Sequence, residues 1–239
     1  MDKALDTKLG VALLVIGGVI LWNTWLLGFL NHGVVGYTQM SISELNVNGQ
    51  PFAHFFTTTE WLSGLLILVG SLFLLPAVRK GGVFLLIALT LTACIGGLTI
   101  FDATHPVDCN RYQNKACQLK WARGEVSAVQ KAHGLESETT DYITVLLSIE
   151  ILVWALHQKI LKPKETSYLE LGFLFILAIA IISPLLTSTG SIVVVSLGQR
   201  VWNTITSILF IYIIYRIRRR ESSPTIRSYS QRKTRKAIA

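Results

Sequence analysis

"VVVSLGQRVWNTITSILFIYIIY", residues 193–215, is apolar over a length that crosses a bilayer, yet it carries Gln199, Arg200 and Asn203. A hydrocarbon core of about 30 Å needs roughly 20 helical residues at 1.5 Å each. Read as a membrane helix, the stretch places Gln199, Arg200, Asn203 and Thr204 at i, i+3 and i+4 spacings, which makes one polar stripe. An ionised side chain at the bilayer centre costs at least about 2.5–3.5 kcal/mol, so Arg200 is expected to face protein or trapped water.

The rest of the chain has the same character. It has 239 residues, of which 51% are hydrophobic and only 15% charged, and a mean hydropathy of +0.50. That composition excludes an ordinary soluble domain. The apolar residues gather into six segments of spanning length, at about 9–30, 55–78, 83–101, 141–161, 168–187 and 192–215. The expected fold is all-α, a bundle of six transmembrane helices over residues 1–217. Arg79-Lys80-Gly81-Gly82 reads as the hinge of a tight helical hairpin. Thr57 with Glu60, and Ser167 with Glu170, have the spacing of capping boxes.

Lys and Arg set the orientation. With the N-terminus inside, most of the 22 basic residues fall on the cytoplasmic side, nine of them in the tail after Tyr215. Both termini are therefore expected to be cytoplasmic, in a multi-pass protein of the cell membrane. The first helix has the charged start of a signal sequence, but its long apolar run reads as a retained anchor. Residues 218–239 read as a basic, disordered tail that accounts for most of the net charge of +8. Such a cluster suits anionic inner-leaflet lipids, and no nucleic acid is expected.

Two outer loops are too long to be connectors. The first, residues 31–60, contains no Lys or Arg, and the second, residues 102–140, contains Cys109 and Cys117 within "DCNRYQNKACQ". On the oxidising side of a membrane these two cysteines are expected to form a disulfide. Cys94, inside an apolar span, reads as a small packing residue.

Several segments carry a resemblance. "SISELNVNGQPFAHFF", then "WLSGLL", "FDATHPVDC" and "GEVSAVQKAHGLES", and finally "GQRVW", together resemble the bacterial polytopic membrane family catalogued as domain of unknown function 998. The likeness covers nearly the whole chain. It implies a helical membrane protein with acidic and histidine-bearing segments near the outer face, and it implies no activity.

Two constellations carry the functional expectations. The first lies within the membrane. Glu150 lies about 13 Å and Arg200 about 12 Å below the outer boundary, so the two are expected to pair. With Gln199 and Asn203 they form the candidate binding residues of an outward-facing polar pocket between the fourth and sixth helices. Asn23 adds a further polar group, as do Ser183 and Thr187 beside Pro184. The expected function is binding of a lipid or small amphiphile, as a sensor or accessory subunit with a protein partner.

The second constellation is at the outer surface: Asp102, His105, Asp108, His133 and Asp141, with Glu44 and His54 from the first loop. His105, His133, Asp102 and Asp108 have the chemistry of zinc ligands, and a bound water on such a zinc would attack an ester or amide. Asp102, His105 and His133 are then the candidate catalytic residues of an intramembrane hydrolase, the alternative reading. That arrangement resembles the ceramidase-like membrane hydrolases but lacks their paired histidines in a late span. No cofactor is predicted from any phosphate-binding or haem-attachment motif, and zinc stands as the one candidate.

Overall fold

In lipid an apolar segment satisfies its backbone most simply as a helix, and helices are what this sequence forms. The computed structural model describes residues 3–30, 41–47, 49–78, 83–105, 107–109, 114–161 and 192–221. Helix α1 is Lys3–Val15, continued by a π turn at Ile16–Ile20 and a 3-10 stretch at Leu21–Leu27. A short 3-10 turn follows at Ser43–Asn46. The later helices are α2 (Ala53–Val78), α3 (Val83–Thr104), α4 (Lys115–Ala122), α5 (Ala128–Leu161) and α6 (Ile192–Glu221). No strand occurs among the described residues.

Among the described residues, four segments are long and apolar enough to cross a membrane: Leu5–Leu30, Ala53–Val78, Val83–Thr104 and Ala128–His157. Helix α6 has 30 residues and carries Gln199, Arg200 and Asn203 within its apolar run; it is not one of the four. The expected span at 168–187 lies outside the described residues. So do Ser167, Glu170, the hinge at 79–82 and all of the tail beyond Glu221.

The distribution of side chains is that of a protein in lipid. Leu26, Leu72, Ile87, Leu146 and Val153 are exposed, while Ser63, Ser71, Thr92, Thr144 and Ser148 are fully buried. Four of the buried hydroxyls are satisfied within their own helix: Thr92, Thr99, Thr144 and Ser148 each donate to the carbonyl four residues earlier, at 2.8–2.9 Å. One apolar cluster, including Leu14, Ile67, Leu89, Leu147 and Phe210, joins α1, α2, α3, α5 and α6.

Small residues set how closely the helices approach. A Cβ on Gly64 of α2 would lie 2.7 Å from the Gly96 carbonyl oxygen and 2.8 Å from the Ile100 nitrogen of α3. A Cβ on Gly70 would lie 3.0 Å from the Gly10 carbonyl oxygen of α1. With Gly64 opposite the Gly96–Ile100 turn in an antiparallel pair, the next turn brings Glu60 level with Asp102. In the first span, the change of helix type falls at Gly17 and Gly18, where the Gly17 carbonyl accepts a 2.9 Å bond from Ser63 Oγ. The tightened 3-10 winding beyond it places Trp22 and Trp25, three residues apart, on one side.

The second outer loop is largely helical. α5 begins at Ala128 rather than near Asp141, because Ser127 caps it, its Oγ accepting the Gln130 N–H at 3.0 Å. Asn114 caps α4 in the same way, its side-chain oxygen accepting from Ala116 and Cys117. Gly124, at φ +69°, closes α4 in a Schellman turn in which the Glu125 N–H donates to the Lys120 carbonyl at 2.9 Å. A disulfide joins Cys109 to Cys117 and ties α4 to the chain leaving α3. Cys94, expected as a small packing residue, is a free thiol on an exposed face of α3.

Candidate functional site

Each helix of the α2–α3 pair carries a single acidic residue, Glu60 in α2 and Asp102 in α3. The glycine register described above brings them together, with the Asp102 carboxylate at hydrogen-bonding range of Glu60. α5 adds a third, since Glu136 also stands beside Asp102. On α5 the residues His133, Glu136, Thr140 and Thr144 recur at three- and four-residue spacing, so they share a face. Thr140 Oγ1 donates to Glu136 Oε1 at 2.6 Å. His133 Nδ1 contacts Asp102 Oδ1, and the backbone of His105 also hydrogen-bonds the His133 imidazole.

The segment after the first span folds over this group. Asn46 Nδ2 donates to Glu60, and the Ile42 N–H donates to Gln199 Oε1 on α6 at 3.0 Å. Leu45 packs with Trp25 and Phe56 in a small apolar cluster of its own. Glu44 turns back to accept the Ser41 N–H at 2.9 Å. The return into α2 passes through Phe52 at φ +62°, a strained conformation for a bulky residue.

Beneath this cover lies a cavity of about 120 Å³ between the first span, α2, α3, α5 and α6. Its floor is acidic, formed by Glu60, Asp102, Glu136 and Asp141, and its walls include Trp22, Trp25, Phe56 and Trp202. No Lys or Arg lines it among the described residues.

The residues singled out from the sequence divide accordingly. Gln199 and Asn203 line the cavity, as do Asp102 and Asp141, and His133 supports Asp102 from behind. The expected ion pair between Glu150 and Arg200 does not form. Arg200 is buried, its Nη1 donates to the Ser196 carbonyl at 2.8 Å, and its guanidinium lies 5.9 Å from the Trp25 ring centre. Glu150 has no hydrogen-bond partner among the described residues. Neither residue lines the cavity. The long, flexible guanidinium reaches its own preceding turn and an aromatic ring on the first span instead of Glu150. Asn23 donates to Ser207 Oγ at 2.7 Å and so ties the first span to α6.

His105 and Asp108 are engaged elsewhere. His105 Nδ1 bonds the Phe101 carbonyl at 2.8 Å and its ring stacks on Phe101, which finishes α3. Asp108 takes the Ser127 hydroxyl, and its N–H donates to Gln130 Oε1 at 2.7 Å, which anchors the start of α5. His54 is exposed. Among the described residues, no group of three or more His, Cys, Asp or Glu is disposed to hold a metal ion.

Glu60 and Glu136 are the site residues that the sequence reading did not select. Thr57 and Glu60 lie inside α2 rather than at its start, so no capping box forms and the Glu60 carboxylate faces the cavity. The available signal was its standing as the one acidic residue of an otherwise apolar span. Glu136 was hidden by reading 102–140 as a loop, where a helical stripe has no meaning.

No family model matches the chain, and neither a curated protein nor a solved structure does.

Proposed function

We propose that this chain is a multi-pass protein of the cell membrane, with six spans and both termini cytoplasmic, that binds a lipid or small amphiphile as a sensor or accessory subunit. The observation that carries the binding reading is the cavity: polar side chains facing a space of about 120 Å³, walled by aromatic rings, at one end of an otherwise apolar bundle. Leu26, Leu27, Phe29, Phe52 and Phe55 are exposed at the same ends of their helices and offer an apolar surface to a tail. The basic tail beyond α6 suits anionic lipids of the opposite leaflet. The likeness to the family of unknown function agrees with a helical membrane protein and adds nothing about activity.

Metal-dependent hydrolysis is the weaker reading. Of its candidate residues only Asp102 and His133 come together, while His105 and Asp108 have structural partners.

Ser137 lines the cavity from α5, and Ser137→Phe is expected to fill it. Native mass spectrometry of the purified protein should then show loss of the co-purified amphiphile, with helical content retained. Unchanged lipid content in that variant would refute the binding reading. Topology has a separate test. A membrane-impermeant maleimide added to intact cells should label Cys109 and Cys117 only after reduction; labelling confined to lysed cells would reverse the proposed orientation.

A further inference from the structure

Resting on the reading of the cavity as a binding space, we infer that residues 41–47 are a flap, latched to α6 by Gln199, whose opening admits an occupant to the cavity. The segment is built to move as one piece. Its backbone is hydrogen-bonded within itself: the Glu44 N–H donates to the Ser41 carbonyl at 3.2 Å, Leu45 to Ile42 at 3.1 Å and Val47 to Glu44 at 3.4 Å. The Glu44 carboxylate also accepts the Ser41 N–H, at 2.9 Å. A unit whose backbone groups are paired internally can lift without leaving those bonds unmade. The chain that joins it to α2 carries two residues at positive φ, Gly49 at +89° and Phe52 at +62°. Loop residues between two rigid units are where hinge motion is absorbed.

The latch explains two neighbouring polar residues of an otherwise apolar helix. Gln199 fastens the flap directly, its Oε1 accepting the Ile42 N–H at 3.0 Å. Arg200 acts through a ring: its guanidinium lies 5.9 Å from the centre of Trp25, and Trp25 packs with Phe56 and with Leu45 of the flap, which is 1% exposed. Asn46 adds a tie to Glu60 on α2. Ile42, Ser43, Leu45 and Asn46 all line the cavity, so the flap is one of its walls and cannot lift without opening it. A neutral hydrogen bond and a seated leucine contribute far less than the packing between whole helices, so lifting the flap costs much less than parting the bundle.

The test needs no ligand, so its outcome is separate from that of the amphiphile reading. Ser137 lines the cavity from α5 and supplies the reporter position. Full-length protein carrying Cys94→Ser and Ser137→Cys, delipidated in maltoside micelles with Cys109 and Cys117 in their disulfide, is treated with N-ethylmaleimide, and adduct formation is timed by intact-mass spectrometry. Gln199→Leu removes the acceptor of the latch and should speed the reaction about 3- to 10-fold. Leu45→Ala removes the seated side chain and should speed it about 10-fold or more. Amide hydrogen exchange on the same variants should quicken in the peptide that spans residues 41–47 and stay unchanged in α2 and α3. Equal rates in the parent and both latch variants would overturn the flap. So would an acceleration matched by faster exchange throughout α2 and α3, since that reports a loosened bundle. Acceleration confined to the flap, in a parent protein that co-purifies with no amphiphile, would keep the gate and remove the amphiphile reading.

Discussion

Gly64→Val is expected to destabilise the bundle by about 3 kcal/mol and to abolish ligand binding, because nothing at that contact can yield. The atoms that a Cβ on Gly64 would meet, at 2.7 and 2.8 Å, belong to the backbone of α3, so relief requires the two helices to separate. Separation moves Glu60 away from Asp102 and opens the cavity. Thermal unfolding in detergent and amphiphile content, measured on the same preparation, read both effects. Gly97, on the next position of α3 from Gly96, is the control: a Cβ there meets nothing within 4 Å, so Gly97→Ala should be neutral or slightly stabilising, helped by the better helix propensity of alanine. If the two variants melt together, small-residue packing does not set the α2–α3 register.

The second large effect is expected at His133, which touches no part of the cavity and acts through Asp102. Asp102 stands against two other carboxylates, and the imidazole is the one basic neighbour that the described residues give it. His133→Ala should cost about 3 kcal/mol, since it removes one partner of a buried pair and leaves three acidic groups facing one another. Asp102→Asn should cost about half as much or less, because the loss of its contact with His133 is offset by relief of repulsion from Glu60 and Glu136. Chemical denaturation in mixed micelles gives the comparison. A larger cost for Asp102→Asn than for His133→Ala would show that the imidazole does not serve the acidic cluster.

Some of the site was legible before any coordinates. Gln199 and Asn203 stood out as polar groups on an apolar helix, and both reach the cavity. Asp102 and His133 were selected for metal chemistry, and the structure joins them for a different reason. Glu150 and Arg200 were equally conspicuous and were assigned to each other because their depths agreed. Depth is a coordinate along one helix, whereas pairing depends on rotation and on which helices are neighbours. Arg200 turns to Ser196 and Trp25, and Glu150 is left without a hydrogen bond among the described residues. Glu60 failed for the opposite reason, since a three-residue spacing with Thr57 supplied a local explanation that the true start of α2, at Ala53, removes.

The sequence alone determined the class of molecule: runs of apolar residues must hydrogen-bond their own backbone in lipid, so helices of spanning length followed from composition and segment length. It also determined the Cys109–Cys117 link, because two cysteines so close in a loop have few other partners. Only the tertiary structure decided the site. Glu60, Asp102, Glu136 and Trp202 come from four different helices, and what unites them is the depth to which glycines let α2 and α3 approach and the angle at which α5 and α6 then pack. Those are properties of surfaces in contact, which no single segment of the chain contains.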